Sequence, residues 1–170
     1  TFYAGRPEVK VEFIGENAWM NRLQDVKYSL SLKTGRELSE TQYTKDDYLH
    51  IARSRWHKTF WSGPAQPKLI IDHNLPYLIY SRALPNYDLS LTVSNGSVAQ
   101  DLGEFARSDK GELGGTCMLA PYMPSTGGRG ELGVLPRWDV KYLYTFDPKM
   151  EEVVNACAGV GISALWSPST

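Results

Sequence analysis

The chain has 170 residues, of which 42% are hydrophobic and 22% charged, enough apolar material for a buried core and a balance that argues against disorder. Its 18 basic and 19 acidic side chains leave a formal charge of -1, so nothing electrostatic favours nucleic acid or an anionic membrane as partner. No run approaches the ~20 apolar residues that span a bilayer, and with neither a signal peptide nor an initiator Met at Thr1 the chain reads as a processed product or a fragment of a longer protein.

From the start, Glu8 to Ile14 alternates: Val9, Val11 and Phe13 fall on one face and Glu8, Lys10 and Glu12 on the other, which predicts a half-buried strand. Val26 to Leu32 alternates in the same way, and Lys33 to Arg36 reads as a turn. Glu37 to Asp47 is polar and predicts loop. Leu49, Ala52, Trp56 and Phe60 then recur at helical spacing, whereas Trp56 and Phe60 also fit a period of two. The reading is helix over 45–54 and extended chain over 55–62. Lys68–Asp72, Tyr77–Tyr80 and Leu89–Val93 read as short strands, with Pro76 interrupting between the first two. Asn95-Gly96 is the strongest turn signal, and Asn95-Gly96-Ser97 fits a glycosylation sequon on a hairpin tip.

Residues 101–135 are Gly- and charge-rich and predict surface loops. Pro136 to Tyr144 predicts a helix. Asp147-Pro148 opens another, with Asp147 as N-cap, Glu151 and Glu152 in the first turn, and Met150, Val153, Val154, Cys157 and Val160 on one face. The expected fold is α+β: an antiparallel, β-sandwich-like N-terminal part over 1–100, a loop region over 101–135, and a C-terminal helical hairpin over 136–166 that forms the edge of a further domain. At the level of fold alone this order is similar to the junction in some extracellular polysaccharide lyases and hydrolases, where a sandwich packs on a helical toroid. No motif of those families can be placed residue by residue.

No motif fixes a chemistry. The richest constellation is Arg53, Arg55, Trp56, His57 and Trp61, with His50, Lys58 and Phe60 interleaved. Aromatic rings stack on sugars and guanidinium groups fork onto carboxylates or phosphates, so these five residues are the candidate ligand-binding set. The competing reading puts the Trp rings in the core, with Arg and Lys stems lying over apolar surface. His50 and His57, seven residues apart, would sit roughly 10 Å apart on a helix, too far for one ion, and there is neither HExxH nor CxxC. No metal or cofactor is expected. Cys117 in GGTCM could act as a nucleophile with His57 or His73 as base, though a buried structural thiol is the simpler reading. Glu104, Glu112 and Glu131 are available for glycoside chemistry, but 19 acidic residues supply such candidates by chance. GGRGELG at 127–133 lacks the Lys-Ser/Thr of a phosphate loop. Cys117 and Cys157, the only cysteines, are expected to be free thiols, at least one of them buried.

The functional expectation is a binding or structural module of a larger extracellular or surface-exposed protein or assembly. Its expected partners are carbohydrate or other protein subunits, a second copy of this chain among them. The alternatives are a fragment of a polysaccharide-processing enzyme (lyase or hydrolase) and a virion or filament subunit.

Overall fold

In a computed structural model, residues 4–5, 7–18, 21–63, 71–120 and 133–159 are described. No helix among them is long and apolar enough to cross a membrane. The fold is mixed α+β, with two two-stranded antiparallel sheets and four α-helices among the described residues. The chain divides into two compact units. Unit 1 draws on the chain up to Gly63 and on Glu112–Gly115; unit 2 draws on Ile71–Gly111 and Thr116–Ala158.

In unit 1, β1 (Val9–Glu16) and β2 (Val26–Thr34) form where the alternation predicts them. β1 pairs with β4 (Arg55–Ser62), the extended segment expected over 55–62, and β2 pairs with β3 (Glu40–His50). β3 overturns both the loop over 37–47 and the helix over 45–54. Tyr28 lies opposite Tyr48 but Leu30 opposite Lys45, so β3 spends one residue more than β2 at this point. That bulge, with Asp47 in the left-handed region at φ 53°, moves the inward phase from Tyr43 and Lys45 to Tyr48 and His50. A strand that changes phase midway cannot present one period of two. Tyr48, Trp56 and Leu113 form the buried centre, and Phe13, Tyr28, Leu30, Leu32 and Tyr43 pack against it.

In unit 2, α1 (Leu75–Tyr80) replaces the expected strand at Tyr77–Tyr80. The Asn74 side chain accepts a hydrogen bond from Tyr77 N–H at 3.2 Å, and Pro76 sits in the first turn, so the residues read as a break start a helix instead. Leu89–Val93 forms no strand, and the described end of 68–72, Ile71–Asp72, is irregular. α2 (Asn95–Arg107) begins where a hairpin turn was expected. Ser94 caps it by accepting from Ser97 N–H, which puts the sequon at a helix start rather than a hairpin tip. α2 takes only Asp101–Arg107 from the loop region expected over 101–135, and the described residues 108–120 and 133–135 are irregular as expected; residues 121–132, which hold most of GGRGELG, lie outside the described residues.

α3 (Arg137–Thr145) and α4 (Pro148–Ala158) form as predicted. Asp147 accepts from Lys149 N–H (2.8 Å) and Met150 N–H (3.3 Å) as the cap of α4. Met150, Val153 and Cys157 are buried and Val154 half-buried, while Val160 lies outside the described residues. α4 packs against both α2 and α3. The two cysteines are not free thiols: Cys117 and Cys157 form a disulfide with Cα atoms 5.3 Å apart. Their separation of 40 residues hid this, because only the fold brings the loop after α2 onto α4.

Candidate functional site

Pairing with β1 decides where the aromatic–basic residues of β4 point. Gly15 lies opposite Trp56, Ile14 opposite His57, Glu16 opposite Arg55 and Lys10 opposite Trp61. Trp56 turns inward and is only 7% exposed. Its Nε1–H donates to Tyr28 Oη at 2.9 Å, and the Tyr28 hydroxyl lies 2.9 Å from His50 Nδ1. His50 Nε2 stands 3.1 Å from the Ser54 carbonyl, which can only accept. Nε2 therefore carries the hydrogen, and in the neutral ring Nδ1 accepts from Tyr28. The ring of Trp56 is part of the core and its polar tip is already satisfied, so no face remains on which a sugar could stack.

Arg55, His57 and Trp61 share the opposite face. There Arg55 Nε stands 3.6 Å from Glu16, Lys10 Nζ 2.7 Å from Glu12, and His57 Nε2 3.8 Å from the same Glu12 carboxylate. The hydrogen bond and charge of Lys10 hold the Glu12 carboxyl below its usual value. Exposed ion pairs of this kind contribute little stability and exchange partners readily. Trp61 is half-buried on this face.

Arg53 belongs to the turn between β3 and β4. Its φ is 65°, and its N–H donates to the Asn17 carbonyl at 2.7 Å. Asn17 also holds the turn through its side chain, with Nδ2 donating to the carbonyls of His50 and Gln24, each at 2.9 Å. Asn17 follows β1 in a polar stretch, and no local signal marked it. The structure therefore splits the five candidates: Trp56 in the core, Arg53 in a pinned turn, and Arg55, His57 and Trp61 on one accessible face.

No protein-family model, curated protein or solved structure matches the chain. The remaining candidates rest on geometry alone. Cys117 has no thiol to offer as nucleophile. Glu104 is ion-paired with Arg137 in unit 2. Glu112 in unit 1 accepts from Tyr43 Oη and stands 3.5 Å from Lys45. Glu131 lies outside the described residues. Among the described residues, no group of three or more His, Cys, Asp or Glu side chains is placed to hold a metal ion.

Unit 2 carries a second surface that the sequence reading missed. Leu75, Pro76, Leu89, Leu91, Leu143, Tyr144 and Phe146 line a shallow, open groove of about 450 Å³, with Asp72 and Asn74 at its polar side. His73, Tyr142 and Phe146 cluster beside it with ring centroids 5.7–6.2 Å apart. Tyr144 Oη donates to the Asp88 carbonyl at 2.8 Å, and burial, then the charge of Asp88, raises its pKa. Large side chains of unit 2 are open to solvent: Tyr80 of α1 is 93% exposed, Tyr77 of α1 65% and Leu91 at the groove 61%. Alternating Leu89 and Leu91 look like a strand in sequence, but they lie in irregular chain and at least half of each is exposed.

Proposed function

We propose that this chain is a binding or structural module of a larger extracellular or surface assembly, and that it meets neighbouring protein subunits, further copies of itself included, through the groove of unit 2 and the exposed apolar side chains of that unit. The observation that carries this reading is the exposure of large apolar side chains in unit 2: Leu89 and Leu91, which line that groove, and Tyr77 and Tyr80 of α1. Exposed apolar side chains, where they cluster, mark protein contacts. In this reading the two sheets of unit 1 serve as a small sandwich-like scaffold, and α3 and α4 as a helical hairpin presenting the groove. A filament or virion subunit would be the same contact repeated over many copies. The disulfide fits an oxidising compartment.

Sedimentation velocity over a concentration series tests the proposal. The wild-type chain is expected to self-associate. The double variant Leu89→Ser/Leu91→Ser is expected to stay monomeric at an unchanged Tm, since both side chains are exposed. A wild-type chain that stays monomeric throughout refutes the self-contact.

The carbohydrate reading rests on a different observation, the open face that holds Arg55, His57 and Trp61. It predicts retardation in alginate gels or depletion on cellulose that Trp61→Ala abolishes.

A further inference from the structure

Unit 1 completes its core with four residues taken from the middle of unit 2's sequence. Leu113 is buried with Tyr48 and Trp56, Glu112 accepts from Tyr43 Oη, and a Cβ on Gly114 would lie 3.6 Å from the Tyr48 ring. The chain on either side, up to Gly111 and from Thr116, belongs to unit 2, and there two ties among others hold the neck of the excursion. Asp109 provides the first tie: its carboxylate accepts from the backbone N–H groups of Gly111 (2.9 Å), Thr116 (2.7 Å) and Cys117 (3.1 Å). The second tie is the disulfide from Cys117 to Cys157 of α4. Gly111, at φ 76°, seats the neck against α4 so closely that a Cβ there would come within 2.4 Å of the Ala156 carbonyl oxygen. Cys117 also lines an open hollow of about 240 Å³ together with Arg107 and Ser108. An open hollow admits a small reagent to the disulfide.

We propose that the Cys117–Cys157 disulfide is a redox latch that holds Leu113 in the core of unit 1. The reductant is a small dithiol. Its first thiolate bonds to one cysteine sulfur and expels the other as thiolate. Its second thiolate then closes the reagent's own disulfide and expels the remaining cysteine sulfur. Two electrons pass to the protein, which takes two protons from water and ends with two thiols, while the dithiol is oxidised. With the latch open the neck is held less firmly, so Leu113 leaves Tyr48 and Trp56 more often and unit 1 opens locally more often.

The test is amide hydrogen exchange on the full chain, with and without dithiothreitol, for the wild type and Leu113→Val. Reduction is expected to speed exchange in residues 43–50 and 55–60 of the wild type about tenfold. In Leu113→Val these residues should exchange faster before reduction and respond much less to it. Faster exchange confined to 109–119 and 150–158 overturns the latch, because the disulfide then stabilises unit 2 alone. An equal response in wild type and variant overturns it too, as does a disulfide that native dithiothreitol leaves closed by mass after alkylation.

Discussion

Gly15→Ala is the sharpest probe of how unit 1 is held together. Gly15 lies opposite Trp56 across the β1–β4 pair, and a Cβ built on it would stand 2.2 Å from Cε2, 2.3 Å from Nε1 and 2.5 Å from Cζ2 of the indole. The backbone at Gly15 is not in the left-handed region, so alanine meets no conformational penalty and the whole cost comes from the clash. Overpacking a buried ring costs about 1–3 kcal/mol. A displaced indole also weakens the Trp56-to-Tyr28 hydrogen bond, worth about 1 kcal/mol. Replacing glycine within a strand returns about 0.5–1 kcal/mol of chain entropy. The net loss is about 1–3.5 kcal/mol, or roughly 4–28 °C in Tm for a unit of this size. Urea unfolding followed by far-UV circular dichroism measures it. Trp56→Phe removes the ring atoms that the new methyl group meets. In that background Gly15→Ala should cost less, with a coupling of at least about 1 kcal/mol. A neutral or stabilising Gly15→Ala, or the same cost in both backgrounds, refutes this packing.

Asp101 is 0% exposed, with Arg137 Nε at 3.2 Å and Lys141 Nζ at 2.8 Å. Asp101→Asn leaves two cations without their shared anion and should cost about 3 kcal/mol in urea unfolding. Val153 is fully buried and Val154 only half-buried, so Val153→Asp should prevent α4 from docking while Val154→Asp leaves a folded, weaker protein; circular dichroism separates the two. Burial raises the Glu112 carboxyl, but the Tyr43 hydrogen bond and the charges of Lys58 and Lys45 outweigh it and leave the carboxyl below the ordinary 4.5. Its stabilising contribution is therefore present above pH 4.5 and lost as pH falls through the lower folded value, so the stability gap between wild type and Glu112→Gln should close on acidification. Unfolding without reductant should expose no titratable thiol, and unfolding with reductant should expose two.

The sequence by itself determined the elements whose signals are local. β1 and β2 alternate without interruption against one core face, and α4 carries its own cap at Asp147, a proline at its start and an apolar stripe through Met150, Val153 and Cys157. Each pattern is complete within about a dozen residues, so no distant partner was needed to read it.

Tertiary structure decided the rest, wherever a residue's meaning depends on a partner far along the chain. β3 changes phase at the Asp47 bulge, and only its pairing with β2 shows that Tyr43 and Tyr48 face one core. α2 buries a carboxylate, Asp101, between Val98 and Phe105, which breaks the apolar stripe until Arg137 and Lys141 of α3 arrive to pair with it. Trp56 and Trp61 are indistinguishable in sequence. Gly15 makes room for one in the core, and an odd number of residues turns the other to the opposite face. Leu113 reads as a lone apolar residue in a glycine-rich loop because the cavity it fills belongs to strands more than 50 residues earlier in the chain.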